Sequence, residues 1–206
     1  MKNTLLIISF FALAIMYIGC KKDDPKPNNE NPITSSVFVF FKIGASWIYD
    51  TYDSDAGTPH ISQSFTINNI NAQNYATVTW NIANIYSITQ EWFADNTKFS
   101  MLCSQGNAKM LVLCDANPNI GETWTETWTD SSGVTTDSCK IIALNETVNV
   151  PAGTFTNCIK ILQTTSKDPV YYKYIWFNFN VGVIKTEGTT SEDYPTILYE
   201  DLSSHN

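Results

Sequence analysis

Apolar and polar residues alternate in short runs from Val37 to the end of the chain, with turn-forming residues between the runs. A period of two is the pattern of a strand with one face buried, and no stretch sustains the 3.6-residue period of a helix. The pattern predicts strands at 46–52, 61–67, 75–82, 86–93, 98–103, 109–114, 123–129, 134–144, 156–164, 170–177, 183–186 and 196–202. Turns are expected at Ser54-Asp-Ala-Gly-Thr-Pro59, at Gln105-Gly-Asn107 and at Asp130-Ser-Ser-Gly133, the last being a good hairpin signal. The reading is an all-β domain of about ten to twelve antiparallel strands with at most one or two helical turns. One short pattern occurs twice: Ile43-Gly44-x-x-Trp47 and Ile120-Gly121-x-x-Trp124 each open a β-rich segment. A glycine before a strand that carries a tryptophan suggests a tight lead-in and an aromatic anchor, and the repeat suggests two half-sheets of similar build.

The front of the chain departs from this pattern. Residues 5–18 are a continuous apolar run preceded only by the charge of Lys2. At about 14 residues the run fits a signal-peptide core and falls short of the roughly 20 that span a bilayer. It ends in Tyr17-Ile18-Gly19-Cys20, which resembles the lipobox of bacterial lipoproteins, with Tyr17 where an aliphatic residue is usual. The resemblance implies cleavage before Cys20 and lipid attachment to it, and several acyl chains on one residue make a stable anchor. Lys21-Lys22-Asp23-Asp24 resembles the surface-export signal of Bacteroidota-type lipoproteins, which implies the outer membrane and its outer face. A periplasm-facing anchor is the alternative. Residues 20–36 are polar, carry Pro25, Pro27 and Pro32, and read as an extended tether. The expected organisation is therefore a signal peptide at 1–19, a lipidated cysteine and tether at 20–36, and one β-rich domain at 37–206.

Composition narrows the function. The 206 residues carry a formal net charge of −8, and all 12 basic residues are lysine. Without the bidentate guanidinium fork, an acidic chain is a poor match for nucleic acid. If Cys20 carries lipid, Cys103, Cys114, Cys139 and Cys158 are left. An exported protein can form disulfides, and locality suggests Cys103–Cys114 and Cys139–Cys158; small buried thiols fit the same positions. There is no Cys-x-x-Cys, and the only histidines are His60 and His205, so no metal site is expected. No cofactor is implied either.

Val150-Pro151-Ala152-Gly153-Thr154-Phe155, followed by Asn157-Cys-Ile-Lys-Ile161, resembles a recurrent motif of uncharacterised exported lipoproteins. Trp176-Phe177 and Val181-Gly182-x-x-Lys185 resemble the aromatic pair and Val-Gly-x-x-Lys that follow it there, and Gly121-Glu-Thr-Trp124 fits upstream. Phe179 and Asn180 stand where the family's loop carries proline and glycine. The resemblance implies a curved antiparallel sheet, a half-barrel or open barrel, similar to lipoprotein-localisation factors, and it brings no established activity. The residues themselves suggest a fold-defining turn: Pro151 cannot donate to a ladder and Gly153 can take a left-handed conformation.

The candidate binding site is Glu122-Thr-Trp-Thr-Glu-Thr-Trp-Thr129. On a strand, Glu122, Trp124, Glu126 and Trp128 share one face, a mixture that resembles a sugar-binding surface; the same residues also fit core tryptophans with rim glutamates. The two glutamates lie about 13 Å apart along a strand, too far for a glycosidase pair. No nucleophile elbow or phosphate loop is present. Asp50, Asp53 and Asp55 could weakly hold calcium, although a solvated turn fits them better. The sequence therefore points to a lipid-anchored, non-enzymatic envelope protein. Its domain would bind a surface glycan or, alternatively, carry an apolar ligand in the periplasm, and a hydrolase is the least favoured reading.

Overall fold

Every expected strand forms, and several run longer than the pattern suggested. They are β1 (Ser46–Asp53), β2 (Ile61–Ile70), β3 (Tyr75–Ile82), β4 (Tyr86–Ala94), β5 (Lys98–Ser104), β6 (Lys109–Asp115), β7 (Thr123–Asp130), β8 (Gly133–Val150), β9 (Gly153–Thr165), β10 (Asp168–Asn178), β11 (Gly182–Thr189) and β12 (Ile197–His205). The computed structural model describes residues 37–53, 61–83, 85–104, 109–130, 133–166, 168–189 and 197–206, and none of these is helical. Cys20, Lys21, Lys22, Asp23, Asp24 and the rest of the expected leader and tether lie outside the described residues. So do His60 and Asp55, and the side chains of Cys103 and Trp128.

The strands make one antiparallel sheet in the order β6-β5-β4-β3-β2-β1-β12-β11-β10-β9-β8-β7. The sheet curls beyond a half-barrel into a nearly closed barrel. Phe99 at the start of β5 stacks on Phe177 of β10 with centroids 5.7 Å apart, although many strands separate the two along the sheet. Only β6 and β7 are left at the ends of the order, and between them runs an unsealed seam. There the Trp124 indole N–H donates to the Val112 carbonyl at 2.5 Å.

The repeated glycine–tryptophan pattern has a structural counterpart. Gly44 and Gly121 both take φ of +85°. Gly44 N–H donates to Ile67 O and Gly121 N–H to Ile141 O, each at 2.8 Å, and the returning bonds from Ile67 to Ala45 and from Ile141 to Glu122 are both 3.0 Å. Two six-stranded meanders thus begin with the same corner. The corner that precedes β1 leads to a paired β1–β12 junction, and the one that precedes β7 leads to the seam.

One end of the barrel is plugged. Residues 37–45 precede β1, and Val39 N–H donates to Phe179 O at 3.0 Å. This holds Phe38 and Phe40 among Phe99, Phe177 and Phe179, with ring centroids 5.1–6.3 Å apart. Gly182, at φ +97°, lets the β10–β11 turn pass over the Phe40 ring, where an added Cβ would lie 3.4 Å from it.

β8 was expected to stop near residue 144, and β9 to begin near 156. Instead β8 runs to Val150 through bulges between Ile141 and Val148, with Asn145 at φ +60°. Bulges let a strand bend without ending, so the polar Asn145-Glu146 step is a kink and not a stop. The Pro151-Ala152 turn then joins β8 to β9, with Gly153 at φ +135° and Val150 paired to Gly153. Ala152 N–H donates to Leu202 O at 3.0 Å, and Phe155 packs on the His205 ring at 5.7 Å. A turn therefore forms at the position its proline and glycine suggested. Trp176 is only 8 % exposed. Its N–H donates to Glu146 at 2.6 Å, and the Lys160 ammonium lies 4.4 Å from the ring centroid.

The expected disulfides do not form. Cys114, Cys139 and Cys158 are buried free thiols, which removes both pairings. The register explains the second: Cys139 lies opposite Gln163 and Cys158 opposite Glu146, so the two cysteines sit about 16 Å apart along the β8–β9 ladder. Burial pushes the Cys139 thiol up to about 12, with the Asp137 charge acting in the same direction, so it stays protonated and unreactive at neutral pH.

Candidate functional site: a graded barrel interior

Above the phenylalanine plug the barrel holds a half-open cavity of about 450 Å³, within the range of roughly 300–1,000 Å³ typical of small-molecule sites. Its apolar walls include Trp47, Phe65, Trp92, Met101, Leu113 and Ile175. A set of polar side chains projects into the same space. Gln63, Asp137, Gln163, Lys173, Thr186 and Glu200 come from β2, β8, β9, β10, β11 and β12.

These six residues share one level of the barrel. Thr186 lies opposite Glu200 and Lys173 opposite Gln163 in the strand register. In every one of the six strands, the inward positions that follow towards the plug are apolar. Ile67, Ile141, Ile161, Ile175, Ile184 and Leu202, each two or four residues along, are all buried. The interior is therefore graded from an aromatic plug through an aliphatic layer to a polar girdle.

Glu200 is the centre of the girdle. Its Oε1 accepts from Gln63 Nε2 at 2.5 Å, and its Oε2 accepts from Thr186 Oγ1 at 2.7 Å and from Lys173 Nζ at 3.3 Å. Trp80 Nε1 donates to Gln63 Oε1 at 2.8 Å, so the Gln63 amide is oriented by a donor on one side and an acceptor on the other. Burial alone would raise the Glu200 carboxyl, but Lys173, Thr186 and Gln63 together hold it below the usual carboxylate range. Asp137 behaves oppositely: burial raises its carboxyl, and hydrogen bonds from Thr165 and Gln163 only partly offset this. Nearby, the Tyr49 hydroxyl donates to Val183 O at 2.8 Å; burial and then the Glu200 charge raise its phenol far above its ordinary value.

The lowered Glu200 value sets a pH dependence. The folded chain binds the Glu200 proton more weakly than the unfolded chain does, so the carboxylate stabilises the fold above its ordinary value of 4.5. That contribution is lost as pH falls through the lowered folded value. Glu200→Gln is expected to cost about 2 kcal/mol at pH 7 from its charge-assisted hydrogen bonds, and much less at pH 3. Urea unfolding of both proteins at the two pH values measures this, and an equal difference at both would refute it.

The residues anticipated on β7 lie elsewhere. Glu122 and Trp124 stand beside the seam. Glu122 accepts from Asn119 N at 2.9 Å and shares a hydrogen bond with the Asp115 carboxyl, which burial and then this bond raise. Trp124 is half-buried with its N–H committed to Val112. Glu126 lies opposite Asp137 across the β7–β8 ladder, and Trp128 opposite Thr135. Glu122, Trp124 and Glu126 are not among the described cavity-lining residues. Asp50 accepts from Ser62 Oγ at 2.6 Å, and among the described residues no group of three or more His, Cys, Asp or Glu side chains is placed to hold a metal ion.

Sequence reasoning passed over the girdle. Its signal was a single polar residue in the inward register of a strand whose next inward residues are apolar, as in Lys173-x-Ile175-x-Phe177. Each instance alone looks like an ordinary polar position in a half-buried strand. Only the barrel brings six of them to one level.

Fold and interior together define a nearly closed antiparallel β-barrel with a cavity inside it. No protein-family model matches the sequence, and no curated protein matches it. Two crystal structures share the architecture. One is a candidate lipoprotein from Parabacteroides distasonis, 17% identical with a TM-score of 0.52, covering 82% of this chain and 99% of its own. The other is a candidate exported protein with a YmcC-like fold from Bacteroides fragilis, 18% identical with a TM-score of 0.53, covering 80% and 96%. At such identities the likeness is one of fold. The expected kinship with lipoprotein-localisation factors gains no support from these matches.

Proposed function

We propose that this is an exported, lipid-anchored envelope protein that binds an amphipathic small molecule inside its barrel and has no catalytic role. The cavity carries the reading, because it joins an apolar wall to a polar girdle. The non-enzymatic part is supported by Glu200, whose two oxygens are already taken by three donors and whose lowered pKa makes it a weak base. A glycan site on β7 has less support, since the Trp124 edge faces Val112.

The exported protein bearing Cys20→Ser can be titrated without detergent. The apolar fluorophore N-phenylnaphthylamine is expected to bind saturably, and Met101→Trp, which fills the cavity from β5, is expected to weaken that binding at least tenfold. Absence of saturable binding would overturn the proposal.

Anchoring through Cys20 is supported by the leader sequence and by the lipoprotein and exported character of the two fold relatives, and outer-surface rather than periplasmic exposure by Lys21-Lys22-Asp23-Asp24 alone. Palmitate labelling that disappears in Cys20→Ala is the expected result for the anchor, and cleavage by protease added to intact cells for the surface. Label retained in Cys20→Ala, or full protection from protease, would refute each in turn.

A further inference from the structure

We infer that the cavity selects a single-chain amphiphile with an uncharged, hydroxyl-bearing head, the head resting on the girdle and the chain pointing to the phenylalanine plug. The inference rests on the binding reading above and adds the chemistry of the ligand. The gradient sets the orientation, since each girdle residue is followed towards the plug by a buried apolar one. The size sets the single chain, because about 450 Å³ has no room for a two-chain lipid.

The charge arrangement sets the head group. Lys173 is the cation of the girdle, and it lies 3.3 Å from the Glu200 carboxylate. An anionic head would have to draw Lys173 away and leave Glu200 uncompensated in a half-buried site, beside the further carboxyl of Asp137. The chain has no arginine to offer a second, bidentate anion contact. A cationic head would meet Lys173 as a like charge and compete with it for Glu200. A neutral polyol breaks no pair: its hydroxyls can donate to carboxylate and amide oxygens and accept from amide N–H groups. Gln63, Gln163 and Thr186 supply that mixture on three different strands of the wall.

The test uses the exported protein bearing Cys20→Ser with N-phenylnaphthylamine bound. Octyl glucoside, octanoate and octylamine compete for it at pH 7, each below its micelle concentration. Octyl glucoside is expected to displace the fluorophore at a concentration at least tenfold lower than either charged ligand. With fluorophore affinity measured on each variant and divided out, Gln63→Leu should reduce that advantage to less than threefold, and Gln163→Leu should act in the same direction without touching Lys173 or Glu200. Equal displacement by all three ligands, or preference for octanoate or octylamine, overturns the head-group assignment and leaves the binding reading standing. Failure of the fluorophore itself to bind overturns both.

Discussion

Phe177→Ala is expected to destabilise the fold by about 4 kcal/mol, the largest effect of any single truncation in the barrel. Phe177 is fully buried and packs on Phe38, Phe40, Phe99 and Phe179, with ring centroids 5.6–6.1 Å away. Those four rings come from the segment before β1, from β5 and from the β10–β11 turn. They are held by different parts of the chain and cannot collapse together into the space left behind. The lost transfer energy is therefore joined by the full cost of a cavity. Urea unfolding at pH 7 measures the effect, with Ile120→Ala as reference; Ile120 is 67 % exposed and should change stability by less than about 0.5 kcal/mol. A loss below about 1 kcal/mol at Phe177 would mean that the plug is not packed as described.

Gly188→Ala is expected to cost about 3 kcal/mol, at the upper end of overpacking effects. Gly188 lies in β11 directly opposite Lys173 of β10. An added Cβ would run into the Tyr172 carbonyl oxygen and lie 2.9 Å from the Lys173 Cα. These are backbone atoms of a paired strand, so relief requires the β10–β11 ladder to separate where Lys173 reaches into the cavity. Ligand binding should fall together with stability. Gly121→Ala provides the contrast: nothing lies within 4 Å of its added Cβ, but its φ of +85° penalises any side chain, so about 1 kcal/mol is expected. The same unfolding assay separates the two, and a Gly188→Ala protein as stable as the parent would exclude the close β10–β11 approach.

Several parts of this architecture could be read from particular residues. Period-two alternation marked all twelve strands, because a barrel wall has one face inside and one outside everywhere along its length. Gly44 and Gly121 could be recognised as matching corners, since a left-handed φ before a strand leaves few residue choices. Pro151 and Gly153 marked the β8–β9 turn for the same reason. The kink at Asn145-Glu146 was not legible, because a bulge leaves the same polar interruption as a strand end. The cysteine pairs misled because nearness in sequence says nothing about register.

The strand content, the paired corners and the turn at Pro151 were thus set by local sequence, through backbone sterics and hydrophobic periodicity that act within a few residues. Sheet order and closure belong to the tertiary structure. The seam between β6 and β7, the ring stack of Phe99 on Phe177, and the meeting of Gln63, Lys173, Thr186 and Glu200 join positions as far as 137 residues apart. Such pairings depend on how many strands close the barrel and in what register. That is a property of the whole sheet, and no segment of it carries the information alone.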